Sequence, residues 1–157
     1  SLLSHPHIQR TFSHKRKSTF SLSELLGGEE ATTAPFADGE FSTIYLSPKD
    51  YHRVHHPREG TVAGLRYLPG EFWPVFDEAT KRVEGLFARN ERMAVFLDGE
   101  GVGRVAVVMV AAYGVGRMSL AWSDLISNAG HGAAYEGYQP PLPAERGAEL
   151  GRFNLGS

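Results

Sequence analysis

Short apolar runs alternate along the chain with polar stretches punctuated by Gly and Pro, and the period of each run predicts its element. Phe41-Ser42-Thr43-Ile44-Tyr45-Leu46 alternates large apolar with small hydroxyl residues, the pattern of a half-buried strand. Gly60 to Tyr67, Met93 to Leu97 and Val102 to Tyr113 read as further strands, parted by turn signals at Leu68-Pro69-Gly70 and Asp98-Gly99-Glu100-Gly101. The all-apolar Val105 to Ala112 predicts a central strand buried on both faces. Helical signals are brief. Ser21 followed three residues later by Glu24, with Gly27-Gly28 as a stop, is a capping-box pattern and predicts one short helix. In Ser47-Pro48-Lys49-Asp50 the serine can cap and the proline suits a first helical position, which predicts a short helix or 3₁₀ turn from Asp50 to His55, ended by Pro57. Another brief helix is expected around Val83, Leu86 and Phe87, Asp38-Gly39 reads as a turn, and the Pro/Gly-rich stretch Asn128 to Arg146 reads as a mobile loop. The sum is a mainly β (α+β) chain with short helical insertions.

Composition narrows the class. The 157 residues are 41% hydrophobic and 22% charged, which suits one globular domain rather than a disordered tail or fibre. Sixteen Lys plus Arg against 18 Asp plus Glu leave a net charge of -2, so there is no basic excess to hold a nucleic acid. With no cysteine there is no disulfide framework, thiolate nucleophile or sulfur-ligated metal. The longest apolar run, Val105 to Tyr113, is about half of what a membrane-crossing helix needs. The chain opens on Ser1 rather than Met and closes on Arg152 to Ser157, a string with the character of a packed segment, so residues 1–157 are expected to be a single partial domain, a fragment or a processed piece.

The densest chemistry is Tyr51-His52-Arg53-Val54-His55-His56. On the helical turn expected there, His52 and His55 share a face and His56 points elsewhere. Imidazole titrates near neutral pH and suits a general base or proton donor. The structural alternative, one packed histidine and two on the surface, carries comparable weight. A metal site is the minority reading, because no H-E-x-x-H, cysteine or suitably spaced carboxylate accompanies these histidines. His5, His7, His14 and His131 lie in polar or Gly-rich segments and read as solvated. In Phe87-Ala88-Arg89-Asn90-Glu91-Arg92 the arginines could clamp a phosphate or carboxylate, but spacing favours an Arg/Glu network bracing a strand end. Leu155-Gly156-Ser157 offers a hydroxyl after a glycine, a dipeptide that alone says little.

Taken in order, these strings resemble the phosphatidylserine decarboxylase family, pyruvoyl-dependent enzymes of phospholipid biosynthesis. The resemblance runs through Phe20-Ser21-Leu22, Leu25-Leu26-Gly27-Gly28, Asp38-Gly39-Glu40-Phe41 and Tyr45-Leu46-Ser47-Pro48-Lys49-Asp50-Tyr51-His52-Arg53-Val54-His55. It continues through Tyr67-Leu68-Pro69-Gly70, Leu86-Phe87-Ala88-Arg89-Asn90-Glu91-Arg92, Val110 to Gly116 and Gly151-Arg152-Phe153-Asn154-Leu155-Gly156-Ser157. It implies a zymogen in which Ser157 attacks the Gly156 carbonyl, cleaving the chain autocatalytically into a β chain and an α chain headed by a pyruvoyl group. That covalent cofactor, derived from Ser157, would decarboxylate phosphatidylserine to phosphatidylethanolamine and CO2 through a Schiff base. His55 matches the histidine of an Asp-His-Ser charge-relay set and His52 the histidine of the decarboxylation step; no metal is implied.

By the same resemblance the charge-relay aspartate falls upstream of Ser1, and Asp38-Gly39 matches a different family segment. The chain then represents the β-chain region of a β-sandwich or barrel-like core that is incomplete without its α chain, and alone it is expected to be inactive. Implied partners are its own α chain and phosphatidylserine in a membrane, with a homodimer left open; membrane association at a bacterial or mitochondrial inner membrane follows from the family. A pyruvoyl decarboxylase of a soluble amino acid and a non-catalytic lipid-binding homologue are the alternatives, a zinc hydrolase a distant third.

Overall fold

The computed structural model describes residues 11–12, 20–28, 30–101 and 103–156. Along the chain they form β1 (Thr11–Phe12), α1 (Leu22–Leu26), α2 (Glu30–Thr33), a 3₁₀ turn (Ala34–Phe36), β2 (Thr43–Ile44), β3 (Arg53–His55), β4 (Gly60–Leu68), α3 (Asp77–Arg82), α4 (Leu86–Arg89), β5 (Arg92–Asp98), β6 (Val105–Val110), β7 (Arg117–Leu120), β8 (Ala134–Ala144) and β9 (Glu149–Asn154). The expectation of a mainly β chain with short helices holds. Its sheets are open and antiparallel, with strand orders β6-β5-β4-β8 and β3-β9-β7 and a small β1-β2 ribbon, and none closes into a barrel.

The two larger sheets share one core. Leu65 and Tyr67 of β4, Met93, Val95 and Leu97 of β5, Met118 of β7 and Leu150 of β9 belong to one apolar cluster between them. The opposite face of β5 presents Ala94 and Phe96 to Leu26 of α1, with Phe36 packed alongside. β5 is therefore covered on both sides, and its residues Arg92 to Leu97 are all buried. This corrects the assignment of Val105 to Ala112 as the central strand: β6 is an edge of its sheet and is mostly only half-buried. Apolar content says how much surface a strand hides, while strand order depends on pairings made far along the chain.

Three further expectations give way. Of Phe41 to Leu46, expected as a half-buried strand, only Thr43–Ile44 is strand, and Phe41, Ile44 and Tyr45 are exposed. Ala134–Ala144, inside the stretch read as a mobile loop, is an 11-residue strand paired with β4. Its prolines are tolerated because β8 is an edge, where one side of the strand has no ladder to supply. Asp50 to His55 is not helical; residues 53–55 are β3, paired antiparallel with β9. Helix α1, by contrast, forms as its pattern predicts. The Ser21 side chain accepts from Glu24 N–H, the Glu24 carboxylate accepts from Ser21 N–H, and Gly27 closes the helix at φ 60°. The basic opening residues with His5, His7 and His14 lie outside the described residues, and His131 is exposed with its ring edge-on to Tyr67 at 6.4 Å.

Candidate active site

The local turn before β3 explains why no helix starts there. Ser47 donates both its N–H (2.8 Å) and its hydroxyl (2.7 Å) to one Asp50 carboxylate oxygen, and Asp50 N–H returns to the Ser47 carbonyl at 2.9 Å. Ser47 is thus the donor to a closed turn rather than the cap of a helix. The Ser47 hydroxyl first, then its N–H, holds the Asp50 carboxyl below the usual carboxylate range. The chain leaves this turn extended and adds to the edge of β9, since β-branched and aromatic residues such as Val54 and Tyr51 favour strands once a partner is available.

An extended backbone changes which histidines face together. His52, Val54 and His56 turn toward the interior, while Arg53 and His55 turn outward. His52 and His55 thus lie on opposite faces, unlike the shared face a helical turn would give. His52 donates Nδ1–H to the Asp50 carbonyl (2.6 Å), stands edge-on to Phe153 at 6.3 Å, and has no partner for Nε2 among the described residues. His55 donates Nδ1–H to the Gly147 carbonyl (2.8 Å), so its Nε2 accepts from the Tyr51 hydroxyl (2.8 Å), and the two rings stack at 5.6 Å. Both rings are therefore pinned as one tautomer, with Nε2 as the basic nitrogen.

His56 is the packed histidine. It is 5% exposed, stacks on Trp122 at 5.7 Å, and keeps an unpartnered Nδ1 among the described residues. Burial first, then the neighbouring His55, pushes its pKa down. The hairpin turn between β8 and β9 holds this pair from behind, with His56 N–H donating to Ala148 and Gly147 N–H donating to His56, each at 2.9 Å.

Gly156 lies two residues beyond β9 in a turn at φ 81°, exposed, with open space where a Cβ would stand. Its position is fixed from both neighbouring strands. On one side Phe153 N–H donates to the His52 carbonyl (2.9 Å); on the other, the Asn154 side chain donates to the Arg117 carbonyl and the Ser119 hydroxyl at 3.3 Å each. Gly156 N–H itself donates to the Gly114 carbonyl at 3.1 Å. The register places His52 level with Phe153, three residues before Gly156, and His55 level with Glu149 at the other end of β9. Ser157 lies outside the described residues.

The Arg89 to Arg92 string is a brace. Arg89 meets Glu71 at 3.1 Å and lies over Trp73, while Asn90 accepts from Trp73 N–H (2.9 Å) and donates to the carbonyls of Trp73 and Ala111, each at 2.8 Å. Glu91 accepts from the Tyr67 hydroxyl (2.8 Å) and Asn128 N–H; Arg92 donates to the carbonyls of Leu25 (2.7 Å) and Glu24 (2.6 Å) at the end of α1. Every member is used internally, so no anion clamp forms. Phe153, Gly147 and Gly114 bond to His52, His55 and Gly156 and were not singled out by spacing. Their partners sit across strands, a relation no local pattern encodes. Among the described residues no group of three or more His, Asp or Glu could hold a metal.

The chain is thus an open antiparallel sandwich with tautomer-fixed imidazoles at the two ends of β3, of which only His52 lies toward the end of β9 that leads to the exposed, left-handed Gly156. A sequence model of phosphatidylserine decarboxylase matches residues 3–157. The chain is 44% identical over 138 residues to the phosphatidylserine decarboxylase proenzyme of Myxococcus xanthus, covering 88% of this chain and 49% of that protein. It is 46% identical over 152 residues to the proenzyme of Pseudomonas fluorescens Pf0-1, covering 94% and 52%. The chain belongs to the phosphatidylserine decarboxylase family. It spans about half the length of the curated relatives it matches.

Proposed function

We propose that this chain is the β-chain region of a proenzyme that cleaves itself between Gly156 and Ser157 and, once processed, decarboxylates phosphatidylserine to phosphatidylethanolamine. The observation that carries the reading is the exposed Gly156, held left-handed at the end of β9 beside the strand of His52. An exposed glycine carbonyl admits a nucleophile that a side chain would hinder. The Ser157 hydroxyl adds to that carbonyl carbon, its proton passes through a histidine to the departing nitrogen, and the peptide C–N bond becomes an ester. Loss of the Ser157 Cα proton with cleavage of the Cβ–O bond then frees Gly156 as a carboxylate, and water replaces the nitrogen, which leaves as ammonia. The pyruvoyl carbonyl so formed supplies an electron sink for loss of CO2 from an amine-bearing substrate.

By family resemblance His55 is the base for Ser157 and His52 manages the proton delivered to the substrate carbon. The strand register favours a second distribution, with His52 as the processing base: it is the histidine nearer Gly156, and its Nε2 is uncommitted among the described residues. A lipid substrate brings the protein to a membrane surface, and no helix among the described residues is long and apolar enough to cross one.

The test is the intact mass of the protein made from its complete coding sequence, beside Ser157→Ala, His52→Ala and His55→Ala. Two chains divided at Gly156, one with a pyruvoyl terminus, are expected for the parent and a single chain for Ser157→Ala. A folded parent that stays in one piece overturns the reading. Whichever histidine variant remains uncleaved carries the processing base. Release of CO2 from phosphatidylserine vesicles but not from free serine is expected of the processed protein; the reverse would transfer the assignment to a soluble amino acid.

A further inference from the structure

Just before β7 the chain makes a four-residue reversal, Ala112 to Val115. Val115 N–H donates to the Ala112 carbonyl (2.9 Å), Ala112 N–H donates back to Val115 (3.2 Å), and Gly114 occupies the third position at φ 78°. A positive φ at the third position is the mark of a type II turn, which only Gly and, less readily, Asn adopt without strain. Both ends of the turn are thus tied, and the Gly114 carbonyl is held in one direction. That carbonyl accepts the N–H of Gly156. Pairing of β7 with β9 ends at Arg117 opposite Asn154, so this bond carries the cross-strand connection beyond the ladder to the residue before Ser157. Tyr113 at the tip is 82% exposed and Leu155 is 57% exposed, so burial does little to fix this end of β9.

We propose that the Ala112–Val115 turn is a positioning element for self-cleavage, with Gly114 as its key residue. The Gly114 carbonyl fixes the Leu155–Gly156 peptide plane and, through it, the left-handed Gly156 from which the chain passes to Ser157. Gly114 touches no reacting atom; it sets the geometry from which the serine hydroxyl meets the Gly156 carbonyl. Misplacement of a reacting group by about 1 Å is enough to slow such a step severely. The inference rests on the cleavage site proposed above.

A Cβ at Gly114 would meet nothing within 4 Å, so substitution there acts on the backbone conformation and not on packing. In the protein made from its complete coding sequence, Gly114→Ala is expected to slow appearance of the two chains by about tenfold or more, because an alanine disfavours the left-handed turn by about that factor. Gly114→Asn, which tolerates the left-handed region, is expected to recover most of the rate. In an uncleavable Ser157→Ala background, the Gly156 amide is expected to exchange with solvent faster when Gly114 is alanine than when it is glycine. A folded Gly114→Ala protein that splits at the parent rate overturns the proposal. So does an asparagine variant as slow as the alanine one, or an unchanged Gly156 exchange rate. A folded parent that never splits removes the cleavage reading itself, which the parent's own mass reveals independently of any Gly114 variant.

Discussion

Tyr51-His52-Arg53-Val54-His55 and Arg89-Asn90-Glu91-Arg92 each carry four polar side chains in a short string, yet they end in opposite circumstances. Asn90, Glu91 and Arg92 are at most 5% exposed, and their side chains bond to carbonyls, N–H groups and a hydroxyl inside the protein. His52 is half-buried and His55 exposed; each has Nδ1 tied to a carbonyl, while Nε2 accepts from the Tyr51 hydroxyl in His55 and is uncommitted among the described residues in His52. A buried polar group with every bond satisfied specifies structure, since freeing it costs the desolvation of its partners. An imidazole held by one nitrogen keeps a basic atom available for chemistry.

The largest separation between the two regions is expected from activity. Removal of a general acid or base costs about 10²–10⁴-fold in rate, so His52→Ala should abolish most product formation by either distribution of roles, while its melting temperature stays close to the parent's. Asn90→Ala should do the reverse. It leaves Trp73 N–H and the carbonyls of Trp73 and Ala111 without their partner, and a loss of about 3 kcal/mol or more in a denaturant titration is expected. Stability loss below about 1 kcal/mol would mean that water replaces the amide and that the brace is looser than its geometry.

Two smaller effects appear on acidification. Burial lowers the pKa of His56, so the unfolded chain takes up the proton first and stability falls as the pH drops below about 6.5. His56→Phe should lack that step in a pH series of thermal melts. Asp50 shows the other sign of group with the same outcome. Its carboxyl is held low by Ser47, so its contribution is complete above pH about 4 and is lost as the pH falls through its lower folded value. Asp50→Asn should differ from the parent by a constant amount at neutral pH and converge with it in acid; divergence in acid would mean that the Ser47–Asp50 turn does not persist in solution.

Legibility followed the range of each interaction. The α1 capping box and its Gly27 stop were visible because every contact spans a few residues. β4 and β5 were visible because apolar, strand-favouring runs stand there between Pro/Gly turn signals, all of them local features. Ser47-Pro48-Lys49-Asp50 misled because the same residues serve a helix cap and a closed turn, and the choice went to the turn once β9 offered β3 a ladder. Asn128 to Arg146 misled because proline argues against a central strand but not against an edge.

Residue identity alone thus determined the strand-rich character of the chain and which side chains carry titratable or nucleophilic groups, since these depend on composition and local spacing; the resemblance to the family rested on specific strings in their order along the chain. Tertiary structure alone decided that β5 rather than β6 lies at the centre of its sheet, and that His52 and His55 face opposite ways. It alone also decided that the Gly114 carbonyl reaches the Gly156 amide. Each of these is a pairing between segments tens of residues apart, and such pairings follow from the strand order and register that bury the whole core, which no local stretch of sequence encodes.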